Sequence, residues 1–150
     1  MALDGEYEPS TSAAVRDQVE AYERSDGREA NTGPDSGLPI ILLTTRGARS
    51  GKLRKTPLMK VAHAGEYALV ASKDGSPEHP AWYRNLTADP TSAMIQDGPE
   101  PWDAVVREVE GDERRRWWDL AVRAYPPYAD YQARTDRLIP VLVARPAPPG

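Results

Sequence analysis

Apolar positions change period several times along the chain, and the changes mark the elements. Val15, Val19 and Tyr22 recur at helical spacing behind Thr11 and Ser12, either of which can cap a helix, and Asp26-Gly27 stops it. The segment GREANTGPDSG that follows is rich in turn formers and reads as a surface linker, so this first helix is expected to be loosely attached. Residues 38–45 form a short apolar, β-branched run between turn formers, the pattern of a buried strand. RGARSG then turns the chain, 53–63 predicts a second strand, Ala64-Gly65 a tight turn and 66–72 a third strand, making two successive hairpins of a meander.

Helical spacing returns after the loop DGSPEHP. Pro80 suits the first turn of a short helix, AWYRNLTAD, that Pro90 closes. Residues 92–96 and 103–110 predict two strands around the turn Asp97-Gly98-Pro99. Asp112 is expected to cap a helix in which Trp117, Leu120, Ala121 and Ala124 share one face while Trp118, Val122 and Tyr125 add a second stripe, which predicts wide burial. Pro126-Pro127 interrupts it, a further turn carries Tyr128 and Tyr131, and 138–144 forms a last strand before the tail RPAPPG.

The count is about six strands, mostly antiparallel, with inserted helices: an α+β chain, mainly β, whose sheet closes or half closes into a barrel. Its 150 residues suit one core, divided here into an N-terminal helix and flexible linker at 1–36, the main domain at 37–146 and a disordered tail at 147–150. No repeat, dinucleotide fingerprint or phosphate loop of standard spacing is present. Zero cysteines exclude a disulfide scaffold, a thiolate metal site and cysteine nucleophilic catalysis, and two histidines leave little for a metal, so no metal site is expected. No apolar run approaches the roughly 18–20 residues that span a bilayer, and the start MALDGEYEPS lacks the regions of a signal peptide, so a soluble cytoplasmic protein is expected.

Charge changes this picture most. The net charge is -4, but residues 1–36 are predominantly acidic whereas 37–65 contain no Asp or Glu and hold Arg46, Arg49, Lys52, Arg54, Lys55 and Lys60. An acid-free cationic stretch in an acidic protein reads either as an anion site or as a solvated hairpin face. Within TTRGARSGKLRKTPL, Gly47 and Gly51 flank a tip carrying Arg49 and Ser50, where backbone amides, a hydroxyl and guanidinium groups can converge on an oxyanion such as phosphate. Arg54 and Thr56 follow on one face of the next strand and lengthen the basic surface. The glycines equally serve a plain hairpin.

Three further segments carry candidate chemistry. In ASKDG, Ser72 and Lys73 are expected on opposite faces of a continuing strand. In PAWYRNL, Trp82 and Asn85 share a helix face and offer stacking plus an amide for a planar heterocycle, although docking through Trp82 and Leu86 explains the same spacing. In YPPYADYQARTDRLIP, Tyr125, Tyr128 and Tyr131 recur every third residue, which makes either an aromatic wall for a substrate or a core stripe. Nothing supports a Ser-His-Asp set or a paired-carboxylate hydrolase.

In this order the four segments resemble the deazaflavin-dependent nitroreductase family, actinobacterial reductases that use coenzyme F420, over about residues 38–146. TTRGARSGKLRKTPL is similar to the family's TTxGxxSGxxRxxPL, and the other three segments to its second signature and its closing tyrosine-rich element. The resemblance implies a split β-barrel of the flavin-binding, flavin-reductase-like type and a bound 8-hydroxy-5-deazaflavin whose tail carries a phosphate and several glutamates. It implies a cofactor site formed by Ala48, Arg49, Ser50, Arg54, Lys55, Thr56, Pro57, Leu58 and Met59, by Val70, Ala71, Ser72 and Lys73, and by Ala81, Trp82, Tyr83, Arg84 and Asn85. Met59, Tyr125, Tyr128 and Tyr131 shape the substrate side. Ala48 stands where members often carry a further base, and Met59 where the nitroimidazole-reducing relative has a tyrosine, which implies fewer phosphate contacts and a different substrate range.

The reaction so implied is hydride transfer from the reduced deazaflavin to a small aromatic or conjugated acceptor, a quinone, enone or nitro compound, with Tyr128 as proton donor and Ser72 as the second choice. Rival readings are an FMN- or haem-binding split barrel, a non-catalytic F420 carrier and a nucleic-acid binder, the last opposed by the pI of about 5.2 and the acidic flanks. The chain is expected to act as a monomer or homodimer. The acidity of residues 1–36 gives no reason for membrane insertion, and peripheral membrane contact stays open.

Overall fold

The computed structural model describes residues 3–148. Ser12 caps helix α1, Ala13–Arg24, by accepting the Val15 amide. The helix is docked, not loose: Val19 and Tyr22 are buried against Ile40 and Leu42. The Tyr22 hydroxyl pins a single turn of the sheet, donating to the Gln96 carbonyl at 3.3 Å and accepting the Gly98 amide at 2.8 Å. Gln18 Nε2 donates to the carbonyls of Ala30 and Thr32 and so holds the linker to the same helix.

The strands are β1 Ile40–Arg46, β2 Leu53–Met59, β3 Ala62–His63, β4 Glu66–Val70, β5 Ala93–Gln96, β6 Pro101–Glu108 and β7 Val141–Pro146. They form one sheet in the order β2-β1-β5-β6-β7-β4-β3, with every strand pairing antiparallel. β2 and β3 sit at opposite ends of that order but are separated in the chain only by Lys60 and Val61. The single strand expected at 53–63 bends there: the Lys60 amide still donates to Pro39 beside β1, while the Val61 carbonyl already accepts from Ala68 in β4. This bend raises the strand count from six to seven, and it curls the sheet into a half-barrel by joining its two ends through the chain.

Burial follows from the curl. Ile41, Leu43, Leu69, Ile95, Val106 and Leu142 face the interior, where Trp82 and Leu86 of α2, Ala81–Ala88, join them. β1 is apolar on both faces because α1 covers its outer side, as a doubly covered strand requires. On the outer side of β4 and β7 lie α3, Gly111–Ala124, and α4, Pro127–Ala133. Three sequence expectations shift here. Glu110 occupies the cap position of α3 and Asp112 lies inside its first turn, where a carboxylate favours the helix dipole. α3 buries only Trp117 and Ala121, with Trp118, Leu120 and Val122 half-buried, because it packs on the outside of the sheet. β7 begins at Val141, and Leu138 is 65% exposed. Pro149 and Gly150 of the expected tail lie outside the described residues; the Ala147 amide donates to Asp103. Among the described residues no helix is long and apolar enough to cross a membrane, and no cluster of three or more His, Asp or Glu could hold a metal.

Candidate active site

The β1–β2 connection is a fixed structure. Gly47 donates to the Lys52 carbonyl at 2.7 Å and accepts the Gly51 amide at 2.9 Å, while Ser50 Oγ accepts the Lys52 amide. A Cβ on Gly47 would lie 2.8 Å from Ser50 Oγ, so only glycine allows this tight tip. Asn85 on α2 then locks it: its Oδ1 accepts the Ala48 amide and its Nδ2 donates to Thr45 Oγ1, both at 3.0 Å. The amide expected to face a heterocycle is therefore committed at both ends to the hairpin.

Between this tip and α2 lies a groove of about 540 Å³, within the range of small-molecule sites. Ala48, Arg49 and Ser50 supply one end, and Arg54, Lys55 and Thr56 of β2 run along its floor. Ala81, Trp82, Arg84 and Asn85 form the α2 wall, and Glu8, Ser10 and Val15 close the remaining side. Arg54 and Thr56 thus share a surface as the strand period requires. Trp82 is 6% exposed and mostly belongs to the interior core, so packing accounts for most of its surface.

The other expected cofactor residues lie outside the groove lining. Pro57 pairs with Leu42 in the sheet, Leu58 packs on the interior, and Val70 and Ala71 are buried. Tyr83 donates to Glu108 at 2.6 Å, and burial followed by this bond pushes its phenol up to about 12. β4 ends at Val70, so Ser72 and Lys73 do not alternate across a strand. They enter a single 3-10 turn, Lys73–Gly75, in which Lys73 and Asp74 both have positive φ, 44° and 55°, a strained conformation for side-chain-bearing residues. Lys73 pairs with Glu78 at 3.6 Å.

That turn carries Ser72 to a second corner. Gly75 meets α4 so closely that a Cβ would lie 2.8 Å from the Tyr131 carbonyl. Tyr125 and Tyr131 hydroxyls are 3.0 Å apart, and the Tyr128 ring packs 5.0 Å from Tyr125 and 6.2 Å from Tyr131. Tyr128 is 4% exposed within the outer core. Burial first, then Tyr125, Tyr131 and Asp74, pushes its phenol upward, and burial does the same for Tyr131. Met59, at the far end of β2, packs on this cluster.

Sequence reasoning missed Arg137. Its guanidinium donates to the carbonyls of Ser76 at 2.8 Å, Ala71 at 3.1 Å and Ser72 at 2.7 Å, and meets His79 Nδ1 at 3.1 Å. One side chain thus clamps the strained turn at both ends. No spacing rule links position 137 to carbonyls more than sixty residues earlier.

A family model described as F420H(2)-dependent quinone reductase matches residues 14–146. F420H(2)-dependent quinone reductase Rv1261c of Mycobacterium tuberculosis (strain ATCC 25618 / H37Rv) is 35% identical over 125 residues, 81% of this chain and 83% of the relative. Rv3178 of the same organism, also named for F420H(2)-dependent quinone reduction, is 39% identical over 73% of this chain and 91% of its own length. Among solved structures, an F420-H2 dependent reductase, FDR-A, shares 57% identity with a TM-score of 0.67 over 71% of this chain and 94% of that one. A structure described as a domain-swapped dimer shares 51% identity at a TM-score of 0.70, covering 87% and 96% of the two chains. A haem-binding protein from Mycobacterium smegmatis, 18% identical over 83% of this chain and 50% of that one at a TM-score of 0.53, shares the fold.

The Arg137 clamp has a pH signature. His79 Nδ1 can accept from the guanidinium only while the ring is neutral. Burial lowers the His79 pKa, Arg137 and Arg84 lower it further, and Glu108 opposes them; the neighbouring Tyr83 phenol stays uncharged. The unfolded chain therefore binds this proton at a higher pH than the folded one, and the His79 contribution is full above the ordinary histidine value near 6.5 and declines as pH falls below it. Thermal melts from pH 7.5 to 5 are expected to show a smaller drop in midpoint for His79→Gln than for the native chain; parallel curves would refute the coupling.

Proposed function

Because the chain belongs to the F420H2-dependent quinone reductase family, we propose that it reduces a quinone, and by extension a conjugated enone or nitroaromatic, at a site running from the cationic groove to the tyrosine corner. The observation that carries this reading is the groove itself: Arg49, on a hairpin tip held rigid by Asn85, lines it together with Arg54 and Lys55. That donor set fits an anionic cofactor tail, with planar guanidinium groups suited to phosphate and carboxylate. Coenzyme F420, once reduced, supplies the hydride.

The chain's own residues do the rest. Arg49 and the Ser50 hydroxyl would hold the phosphate, Arg54 and Lys55 would attract the acidic tail, and Thr56 and Trp82 would border the ring. Met59, about 10 Å further along β2 and on its opposite face, packs on the outer core that includes Tyr128. Tyr128 is the first candidate for donating the proton to the acceptor oxygen; burial keeps its phenol protonated. Ser72, fixed through its carbonyl by Arg137, is the second candidate. The absence of cysteine from the sequence is compatible with a reducing cytoplasm.

FMN is the rival cofactor, since its phosphate suits the same tip. Haem is less well supported, because neither His63 nor His79 lines the groove. Titration with F420 and with FMN, followed by tryptophan quenching, is expected to show selective binding of F420. Replacing Arg49 and Arg54 by Ala removes charge-assisted bonds of about 1.5–3 kcal/mol each and is expected to weaken F420 roughly tenfold or more in a protein that melts normally; unchanged affinity contradicts the assignment. Tyr128→Phe is expected to slow quinone turnover about 10²-fold or more with F420 affinity retained, and an unchanged rate removes Tyr128 from the mechanism.

A further inference from the structure

The stretch that carries no acid of its own is neutralised from elsewhere in the fold. The segment ahead of α1 runs alongside β2: the Leu53 amide donates to the Glu6 carbonyl at 2.7 Å, the Glu8 amide donates to the Leu53 carbonyl at 2.9 Å, and Arg46 Nη2 donates to the Asp4 carbonyl at 2.8 Å. Tyr7 and Leu53 pair in parallel. This backbone register lays Glu8 against Arg54 at 3.2 Å and Glu6 against Lys52 at 3.7 Å. Lys55 lies over the Tyr7 ring at 4.7 Å and pairs with Glu23. Glu8 is also part of the groove wall.

Resting on the groove reading above, we propose that Glu6 and Glu8 are built-in competitors of the cofactor tail: their carboxylates stand in for the anions of the tail, and tail binding exchanges them off Lys52 and Arg54. Glu8 and Glu6 side chains are 43% and 74% exposed, so these pairs are weak, screened and easily replaced. A tail with several negative charges outcompetes them, whereas a ligand without one gains nothing from displacing them. The strand-like contact is made by backbone groups, so the carboxylates can swing away while the segment stays paired. Glu6 and Glu8 thereby set how much of the tail's attraction to these cations appears as affinity, and leave the binding of a ring without a tail untouched.

The test is a titration of the full chain with F420 and with the 8-hydroxy-5-deazaflavin riboside, which lacks phosphate and tail, at low and high salt. Glu6→Gln/Glu8→Gln is compared with the native chain and with Asp112→Asn, an exposed change of the same charge on α3. The expected result is a several-fold tightening of F420 at low salt that fades at high salt, with riboside affinity unchanged and Asp112→Asn without effect. In an Arg54→Gln background the part of the gain due to Glu8→Gln should vanish. No tightening, equal tightening of the riboside, or equal tightening by Asp112→Asn each overturns the inference. If the Arg49/Arg54 variant itself binds F420 normally, the groove reading fails; if that variant weakens binding while the glutamine variant does not tighten it, only the role of Glu6 and Glu8 fails.

Discussion

The arrangement depends on keeping a row of cations together at one end of a curled sheet. Arg49, Lys52, Arg54 and Lys55 repel one another, and their own stretch of chain offers no carboxylate to balance them. The fold answers with two devices. Asn85 stitches the hairpin tip to α2, so the tip cannot splay apart to relieve repulsion, and Glu6, Glu8 and Glu23 approach from the N-terminal region to balance the row. Cations held in a fixed row at low cost are what recognition of an anionic tail needs, because the geometry is set before the ligand arrives.

The half-barrel turns that row into one end of a longer site. Before the chain bends at Lys60–Val61, β2 faces the groove through Arg54 and Thr56 on one face, and Met59 on the other packs on the outer core that includes Tyr128. The tyrosine corner is flanked by the strained Lys73–Gly75 turn. Arg137 holds that turn through three carbonyls, and Gly75 alone permits its close approach to α4. Rigid elements thus fix both the cationic hairpin and the tyrosine corner, as the proposed hydride transfer requires.

Much of this was legible in the chain. The apolar run at β1, the Gly47–Gly51 tip, the acid-free stretch and the tyrosines spaced by three are local patterns, and local patterns survive folding. What could not be read depends on contacts between distant positions. The bend at Lys60–Val61 has no glycine or proline to announce it; it arises because one strand pairs with two partners that diverge. Asn85 reads as an amide offered to a ligand, and only the approach of Ala48 and Thr45 shows that it is spent on the hairpin. Arg137 is one arginine among many until the Ser72 turn folds over it. The acidic N-terminal residues look like solvation until they are seen beside β2.

A crystal structure of the chain with coenzyme F420 bears most directly on the central claim that the rigid cationic hairpin holds the anionic end of the cofactor. The account requires the phosphate within hydrogen-bonding distance of Arg49 and the Ser50 region, the acidic tail along Arg54 and Lys55, and the ring directed toward Met59 and the tyrosines. A cofactor bound with its phosphate away from this hairpin would contradict it.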